Sequence, residues 1–430
     1  MTTASKSSGR SIFTYSSALL FAHFVRLIQG LIVIKLMGPD MMGLWLGIQL
    51  ISAYGMHSHL GILNALNRQI PFWVAQEKQE RVKQIEAVGR ANMLLVGLLW
   101  IIVTLAVYAL GGFERRTAAG VLATGLMVAM ALNSEFFFSL FRSHHRFGTL
   151  GIVKIIESFL MLAGLLLVYF WGFYGLCVRA VAVAVGCFGV SVLLYARPVG
   201  IKLEWRETGN LLKIGLPILG LSYVIVLSNT LDSILILTFL GRGQLGFYAL
   251  CLAAREVIGL FPQTIGQVFY PRMIELYARS GITRSLIVTC AKASLLAGTL
   301  AGIVCAAMFL AIPWVVGEYL EKYTPGIPAT KVALLGFFLS AWGTGPQYFF
   351  IAVSQKRRQL GILLIAAGLL FSSGYFLSRY GLVGIAWSVV IVYAFRSVAY
   401  WTVVLLSAAN TTPHHEYRDV EDEVISPGEP

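Results

Sequence analysis

Charged side chains lie near the middle of several long apolar stretches of the sequence. They are His23 and Arg26 in the first stretch, 12–37, Arg255 and Glu256 in the eighth, 245–270, and Arg396 in the twelfth, 383–407. Each charge costs about 2.5 kcal/mol or more inside a membrane, so such residues normally face a helix-bundle interior or a wet cavity. Arginines that face a cavity can bind phosphate groups, because the guanidinium fork engages two oxygens at once.

Small residues follow two of these cations at helical spacing. One helical face of the first stretch carries His23, Arg26 and Gly30, and one face of the eighth carries Arg255, Gly259, Pro262 and Gly266. A glycine beside a cation leaves room for a bulky ligand, and loosened backbone offers further donors. This spacing predicts that Arg26 and Arg255 jointly hold an anionic group. The alternative is that Arg255 pairs with Glu135, Asp232 or another acid and only holds helices together.

Uncharged polar side chains form two further patterns. The second stretch presents Gln49, Ser52, Met56 and His59 along one stripe. Donors of this kind suit sugar hydroxyls, and they suit hydrogen bonds between helices equally well. In the seventh stretch Ser228, Asn229 and Asp232 lie within one turn and, with Glu256, are candidates for a Na⁺ or proton site; helix packing is the other interpretation.

Four other cations lie nearer the ends of apolar stretches, at Lys35, Lys154, Arg179 and Lys292. There a long side chain can extend to the lipid headgroups. We therefore predict no site from these four residues.

Composition places the chain among multi-pass membrane proteins. It is 57% hydrophobic and only 12% charged over 430 residues, and its mean hydropathy is +0.77. Apolar runs of about 20 residues recur, which is the length a helix needs to cross the hydrocarbon layer. Backbone groups in lipid must bond internally, so the predicted class is an all-α integral membrane protein.

The sequence offers little for covalent chemistry. The five cysteines lie in or beside apolar stretches without a CxxC pair, so we interpret them as small core residues and predict no disulfide and no metal site. GxSxG, HExxH and Walker A motifs are absent, and we predict neither catalytic residues nor a cofactor.

The apolar stretches predict twelve spans, with both termini in the cytoplasm. The spans are 12–37, 42–65, 91–111, 117–141, 149–170, 173–195, 211–240, 245–270, 286–316, 330–353, 360–378 and 383–407. Loops after even-numbered spans hold most lysines and arginines, which the positive-inside rule assigns to the cytoplasm. The net charge of +13 lies in these short loops, so we predict no nucleic-acid partner. Residues 76–88 are predicted to form a helix along the inner membrane interface.

Two stretches of glycine-containing sequence suggest that the chain consists of two similar halves. LMGPDMMGLW at 36–45 aligns with FLGRGQLGFY at 239–248, so that Gly38 matches Gly241 and Gly43 matches Gly246. With six spans per half, both halves would enter from the same face as parallel repeats. The predicted units are a bundle at 1–195, a cytoplasmic linker at 196–210, a bundle at 211–409 and a disordered acidic tail at 410–430.

The sequence resembles the polysaccharide transporter branch of the multidrug/oligosaccharidyl-lipid/polysaccharide exporter superfamily, which includes O-antigen and other lipid-linked oligosaccharide flippases. The resemblance rests on LMGPDMMGLW at 36–45, LGILNALNRQIPFW at 60–73, DSILILTFLGRGQLGFYAL at 232–250 and the pair Pro271-Arg272. It implies two six-helix bundles around a central cavity that alternates between the membrane faces.

The same resemblance implies a bacterial inner (plasma) membrane protein that moves a polyprenyl-phosphate-type glycan, in contact with membrane lipid and with Na⁺ or proton coupling. Two extra C-terminal helices expected of a peptidoglycan-precursor flippase are lacking, which disfavours that cargo. A cation-coupled multidrug exporter is the alternative within transport. A membrane glycosyltransferase or polysaccharide polymerase would need a large outer loop, and the longest candidate, 317–329, is short.

Overall fold

A computed structural model describes residues 2–195 and 197–409 of the chain. Within these ranges the only regular secondary structure is helical, which confirms the predicted all-α class. The acidic tail predicted at 410–430 lies outside the described residues.

Fourteen α-helices follow one another in the described part of the chain. They are α1 (Thr2–Gly55), α2 (Ile62–Ala75), α3 (Gln79–Leu110), α4 (Arg115–Ser143), α5 (Phe147–Ala163), α6 (Leu165–Tyr195), α7 (Trp205–Phe239), α8 (Arg242–Phe247), α9 (Ala249–Ser280), α10 (Arg284–Tyr319), α11 (Ile327–Ala341), α12 (Thr344–Ala352), α13 (Lys356–Leu377) and α14 (Gly381–Ala409). Short 3₁₀ turns at Glu321–Gly326 and Ser378–Tyr380 precede α11 and α14.

Eight helical stretches of the described chain are long and apolar enough to cross a membrane. The bent pair Glu321–Ala341 and Thr344–Ala352, with an angle of 41°, makes nine if it forms one span. Several stretches far exceed the about 20 residues that one crossing needs, the longest being Lys356–Ala409 with 54 residues. Non-helical backbone at Gly38 interrupts α1, and at Gly172 it interrupts α6.

Backbone conformations with positive φ recur at matched places in the two halves of the chain. Four pairs lie 203 to 209 residues apart: Gly38 with Gly241, Glu77 with Gly281, His145 with Ser354, and Gly172 with Gly381. Leu60, Gly61 and Gly112 also have positive φ, without such a counterpart. The predicted internal repeat stays a prediction, and these matched turns are in line with it.

The two glycine motifs pack directly against each other. A Cβ atom on Gly43 would lie 1.8 Å from the carbonyl oxygen of Arg242, and one on Gly246 would lie 1.8 Å from the carbonyl oxygen of Pro39. Pro39 and Arg242 occupy equivalent positions in the two copies, so the contact is the same in both directions, as across a two-fold axis. Only glycine permits this approach, which explains why both motifs keep it.

A second close contact joins the halves through α7. A Cβ atom on Gly61 would lie 2.3 Å from the carbonyl carbon of Gly215, and one on Gly215 would lie 2.1 Å from the Gly61 carbonyl oxygen. Nearby, the hydroxyl oxygens of Tyr54 and Thr230 are 2.9 Å apart. The second and seventh predicted spans are thus in contact in this conformation.

The segment predicted to lie along the membrane interface, 76–88, is the beginning of α3 instead. Its apolar side chains Val82, Ile85 and Val88 are at most 2% exposed and belong to a core that includes Phe136 and Phe141. The stripe therefore faces protein and not lipid headgroups, so this prediction was wrong.

The segment between the halves is bound to this part of α3. Arg81 donates to both carboxylate oxygens of Glu207, at 2.8 and 2.9 Å, and Asn92 donates to the hydroxyl of Thr208 at 2.9 Å. Hydrogen bonds from Lys202 and Gln84 hold the pKa of Glu204 below its ordinary value. The predicted linker 196–210 becomes helical at Trp205, and these bonds hold it against the N-terminal half.

Candidate functional site

A cavity of about 200 Å³ lies between α1 and α9, and we call it the portal cavity. His23 and Arg26 line it from α1, and Glu256 lines it from α9. Arg26 forms no ion pair with any described residue, and its side chain is exposed. The guanidinium of Arg26 is therefore available to bind an anion.

The predicted gaps beside two of the cations exist. A Cβ atom on Gly30 or on Gly259 would meet no atom within 4 Å. Gly30 lines the portal cavity, so the space next to Arg26 is open as the spacing predicts. Gly266 is different, because a Cβ there would lie 1.7 Å from the ring of Tyr348; this glycine allows α9 to pack on α12.

Arg255 faces α7 and not the portal cavity. Its Nη1 lies 3.3 Å from Oδ2 of Asp232 and donates to the carbonyl of Asn229 at 3.0 Å. The Asp232 carboxylate, whose residue is 3% exposed, also accepts from the Tyr248 hydroxyl at 2.8 Å and from the Ser233 amide at 2.7 Å. This ion pair corresponds to the alternative that the sequence left open for Arg255, and Arg26 and Arg255 share no cavity in this conformation.

The residues predicted to bind a coupling ion do not converge on one point. Ser228 donates its hydroxyl to the carbonyl of Val224 at 2.8 Å, and the exposed Asn229 lies beside the buried Asp232. Among the described residues, no three His, Cys, Asp or Glu side chains form a group that could hold a metal ion. The positive charge next to Asp232 comes from Arg255.

The remaining predicted binding residues lie apart from the portal cavity. Arg396 donates to the Ser340 hydroxyl at 2.7 Å and lies 4.7 Å above the Tyr393 ring, inside the C-terminal half. His59 accepts the backbone N–H of Gly61 at 3.0 Å and so stabilises a turn. Gln49 accepts from Ser52 at 2.8 Å, while its buried Nε2 has no partner. Of these, Gln49 keeps an unused donor.

A larger cavity of about 410 Å³ lies within the N-terminal half, and we call it the N-half cavity. Its charged lining residues are Glu135, Lys154, Glu157 and Arg179. The prediction that Lys154 and Arg179 extend to the headgroups was wrong: Arg179 is 7% exposed, and Lys154 pairs with Glu157 at 2.7 Å. The spacing of Lys154 and Glu157 by three residues was the sequence signal for this pair.

Comparison with known protein families shows to which family the chain belongs. Residues 8–277 match the sequence model of a family described as "Polysaccharide biosynthesis protein". The chain belongs to this family. A search of curated protein sequences finds no match.

The fold of this chain is similar to the folds of solved transporters. An inward-facing multidrug resistance MATE transporter of the MOP superfamily is similar with a TM-score of 0.67 and 15% identity, over 92% of this chain and 98% of that one. The lipid II flippase MurJ in an inward closed conformation gives a TM-score of 0.72 and 10% identity, over 91% and 87%.

A third similar structure is a MOP superfamily transporter from Pyrococcus furiosus, whose binding pocket is described as having reverse polarity. Its TM-score is 0.57 and its identity 14%, over 94% of this chain and 95% of that one. Such identities establish the fold alone. The family match confirms the predicted resemblance, and the fold is one that solved transporters of the MOP superfamily share.

Proposed function

We propose that this polysaccharide biosynthesis family member is a flippase. It moves a lipid-linked oligosaccharide from the cytoplasmic to the outer leaflet of a bacterial inner membrane by alternating access. The observation that carries the proposal is Arg26, an unpaired cation in a cavity between α1 and α9 with open space at Gly30. A lipid-linked glycan brings a phosphate linker, and an arginine without a competing carboxylate can bind such a group through two hydrogen bonds.

The portal cavity is suitably placed for this cargo. It lies between one helix from each half, so its walls separate or approach when the halves move. His23 lies on the same wall as Arg26 and its imidazole can donate a hydrogen bond to a phosphate oxygen, whereas Glu256 on the opposite wall disfavours an anion that lies too close to α9. The linker phosphate therefore binds on the α1 side.

Coupling follows from the pair formed by Arg255 and Asp232. A phosphate that attracts Arg255 toward the cavity removes the cation from Asp232, and a buried carboxylate left alone takes up Na⁺ or a proton. Arg26 and Arg255 then hold the linker together, as their positions in the sequence suggest. Release of the glycan returns Arg255 to Asp232 and expels the ion on the same side, so the ion and the glycan cross the membrane in the same direction.

The proposed topology has twelve spans, six in each half, with both termini in the cytoplasm. Dividing α1 at Gly38, α6 at Gly172 and the last stretch at Ser378–Tyr380 supports this number. A reporter fused after Arg358 should label as cytoplasmic, and one fused after Thr324 as outside, because basic loops stay inside. Opposite labelling of the two fusions would contradict the orientation.

Transport itself is tested with purified protein in liposomes. A fluorescent polyprenyl-pyrophosphate oligosaccharide in the inner leaflet should become accessible to a membrane-impermeant quencher only when the protein is present, with its glycan unchanged. Empty liposomes are the control. Movement of ethidium without movement of the glycolipid would favour the multidrug exporter, which the MATE-like fold keeps as the second candidate.

A further inference from the structure

Arg179 is a buried cation without a counter-ion. It is 7% exposed and forms no ion pair with any described residue. Its Nε donates to the carbonyl of Met161 at 3.1 Å, and Nη2 donates to the side-chain oxygen of Gln29. Both partners are neutral, and Nη1 has no hydrogen-bond partner among the described residues. Desolvating a cation is costly unless a negative group compensates it, so a carboxylate or phosphate that reached this guanidinium would be bound favourably.

The cavity that Arg179 lines offers no such anion of its own. Glu157 is paired with Lys154 at 2.7 Å, and Glu135 lies 3.5 Å from Arg142. Each acid on the wall therefore has its own cation, and Arg179 is the one charge left over among the described lining residues. The four charges on the wall sum to zero, so Arg179 is distinguished by having no paired carboxylate and not by an excess of positive charge.

The residues around Arg179 leave room for a small ligand. Gly164 leaves space for the side chain, because a Cβ there would lie 2.6 Å from Cγ of Arg179. The cavity volume of about 410 Å³ falls in the range of small-molecule sites, about 300–1,000 Å³. Trp45 contributes a flat apolar wall, a surface on which the C–H face of a sugar ring packs well.

The N-half cavity and the portal cavity share part of their lining. Gln29, Gly30 and Met42 line both of them, and the space at Gly30 is open. A glycan whose linker binds at Arg26 can therefore extend a sugar past Gly30 toward Arg179.

We propose that the N-half cavity is a subsite for an acidic sugar, whose carboxylate pairs with Arg179. The cargo would then be an anionic glycan that carries a uronic acid or a similar residue. This inference rests on the proposed function for the route of entry, whereas the anion site itself does not depend on flipping. Arg179 selects the sugar, and Arg26 holds the linker.

The test measures binding of glucuronate to the purified full-length protein by its thermal unfolding temperature, Tm, with glucose as the neutral control at matched ionic strength. Glucuronate should raise the Tm of the native protein and of Arg26→Gln, and glucose should not. Arg179→Met should weaken glucuronate binding about tenfold or more, as loss of a charge-assisted hydrogen bond predicts. Arg179→Lys should give an intermediate value, because it keeps the charge and loses the fork.

The stability of the ligand-free protein distinguishes an anion-binding role of Arg179 from a purely structural one. If Arg179 is an uncompensated cation, Arg179→Met should leave the Tm without ligand unchanged or higher. A lower Tm together with an unchanged glucuronate response in Arg179→Met and Arg179→Lys would overturn the proposal, as would an equal response to chloride or phosphate. Glycolipid flipping by a protein that fails to bind glucuronate would leave the proposed function intact and remove this subsite alone.

Discussion

Arg26→Ala should reduce surface polysaccharide almost to background in a strain whose polysaccharide depends on this protein. The guanidinium is the unpaired cation of the portal cavity, and a charge-assisted, two-pronged bond to phosphate is among the strongest contacts a side chain can offer. Loss of about 3 kcal/mol of binding corresponds to roughly a hundredfold weaker binding. Arg26→Lys should retain partial function, because the charge remains while the fork is lost.

The matched control for Arg26 is Lys292→Ala in α10. Lys292 is an exposed cation of another apolar stretch and lines neither cavity, so its loss should leave polysaccharide levels unchanged. Membrane insertion of each variant is checked by the amount of protein in the membrane fraction. Full complementation by a normally inserted Arg26→Ala protein would rule out the cationic portal and leave this arginine a packing role.

Asp232→Asn should abolish any dependence of transport on a Na⁺ or proton gradient and should also destabilise the protein. Breaking a buried ion pair from one side leaves the other charge without compensation, at about 3 kcal/mol. Arg255 is 26% exposed at its side chain and Asp232 only 4%, so Arg255→Met, which leaves the deeper charge alone, should lower the Tm at least as much. The double variant Asp232→Leu with Arg255→Met should recover most of the loss.

An exposed pair provides the comparison. Glu80 and Lys83 lie three residues apart with side chains 89% and 71% exposed, and Glu80→Gln should change stability by less than about 1 kcal/mol. If Asp232→Asn transports with its gradient dependence intact, the pair with Arg255 only joins α7 to α9. Equal Tm values for the double variant and for Asp232→Asn would show that the two charges are not coupled.

Much of the architecture follows from local sequence. Apolar runs long enough to cross lipid require helices, because backbone groups in a membrane have no other hydrogen-bond partners. The two glycine motifs predicted a repeat, since the backbone at Gly38, with φ 71° and ψ 164°, lies in a region that only glycine adopts readily. The gap beside Arg26 was also predictable, because residues at i and i+4 lie on one helical face.

Only the tertiary structure decided which neighbour each polar side chain meets. Arg255 could have faced any acid in the sequence, and its pairing with Asp232 depends on how α9 is rotated against α7. Arg179 occupies a position from which a long side chain could reach the headgroups, yet it is buried in the N-half cavity. Lipid and protein interior are equally apolar, so hydrophobic periodicity in a spanning helix does not distinguish the side that faces the bundle from the side that faces the membrane.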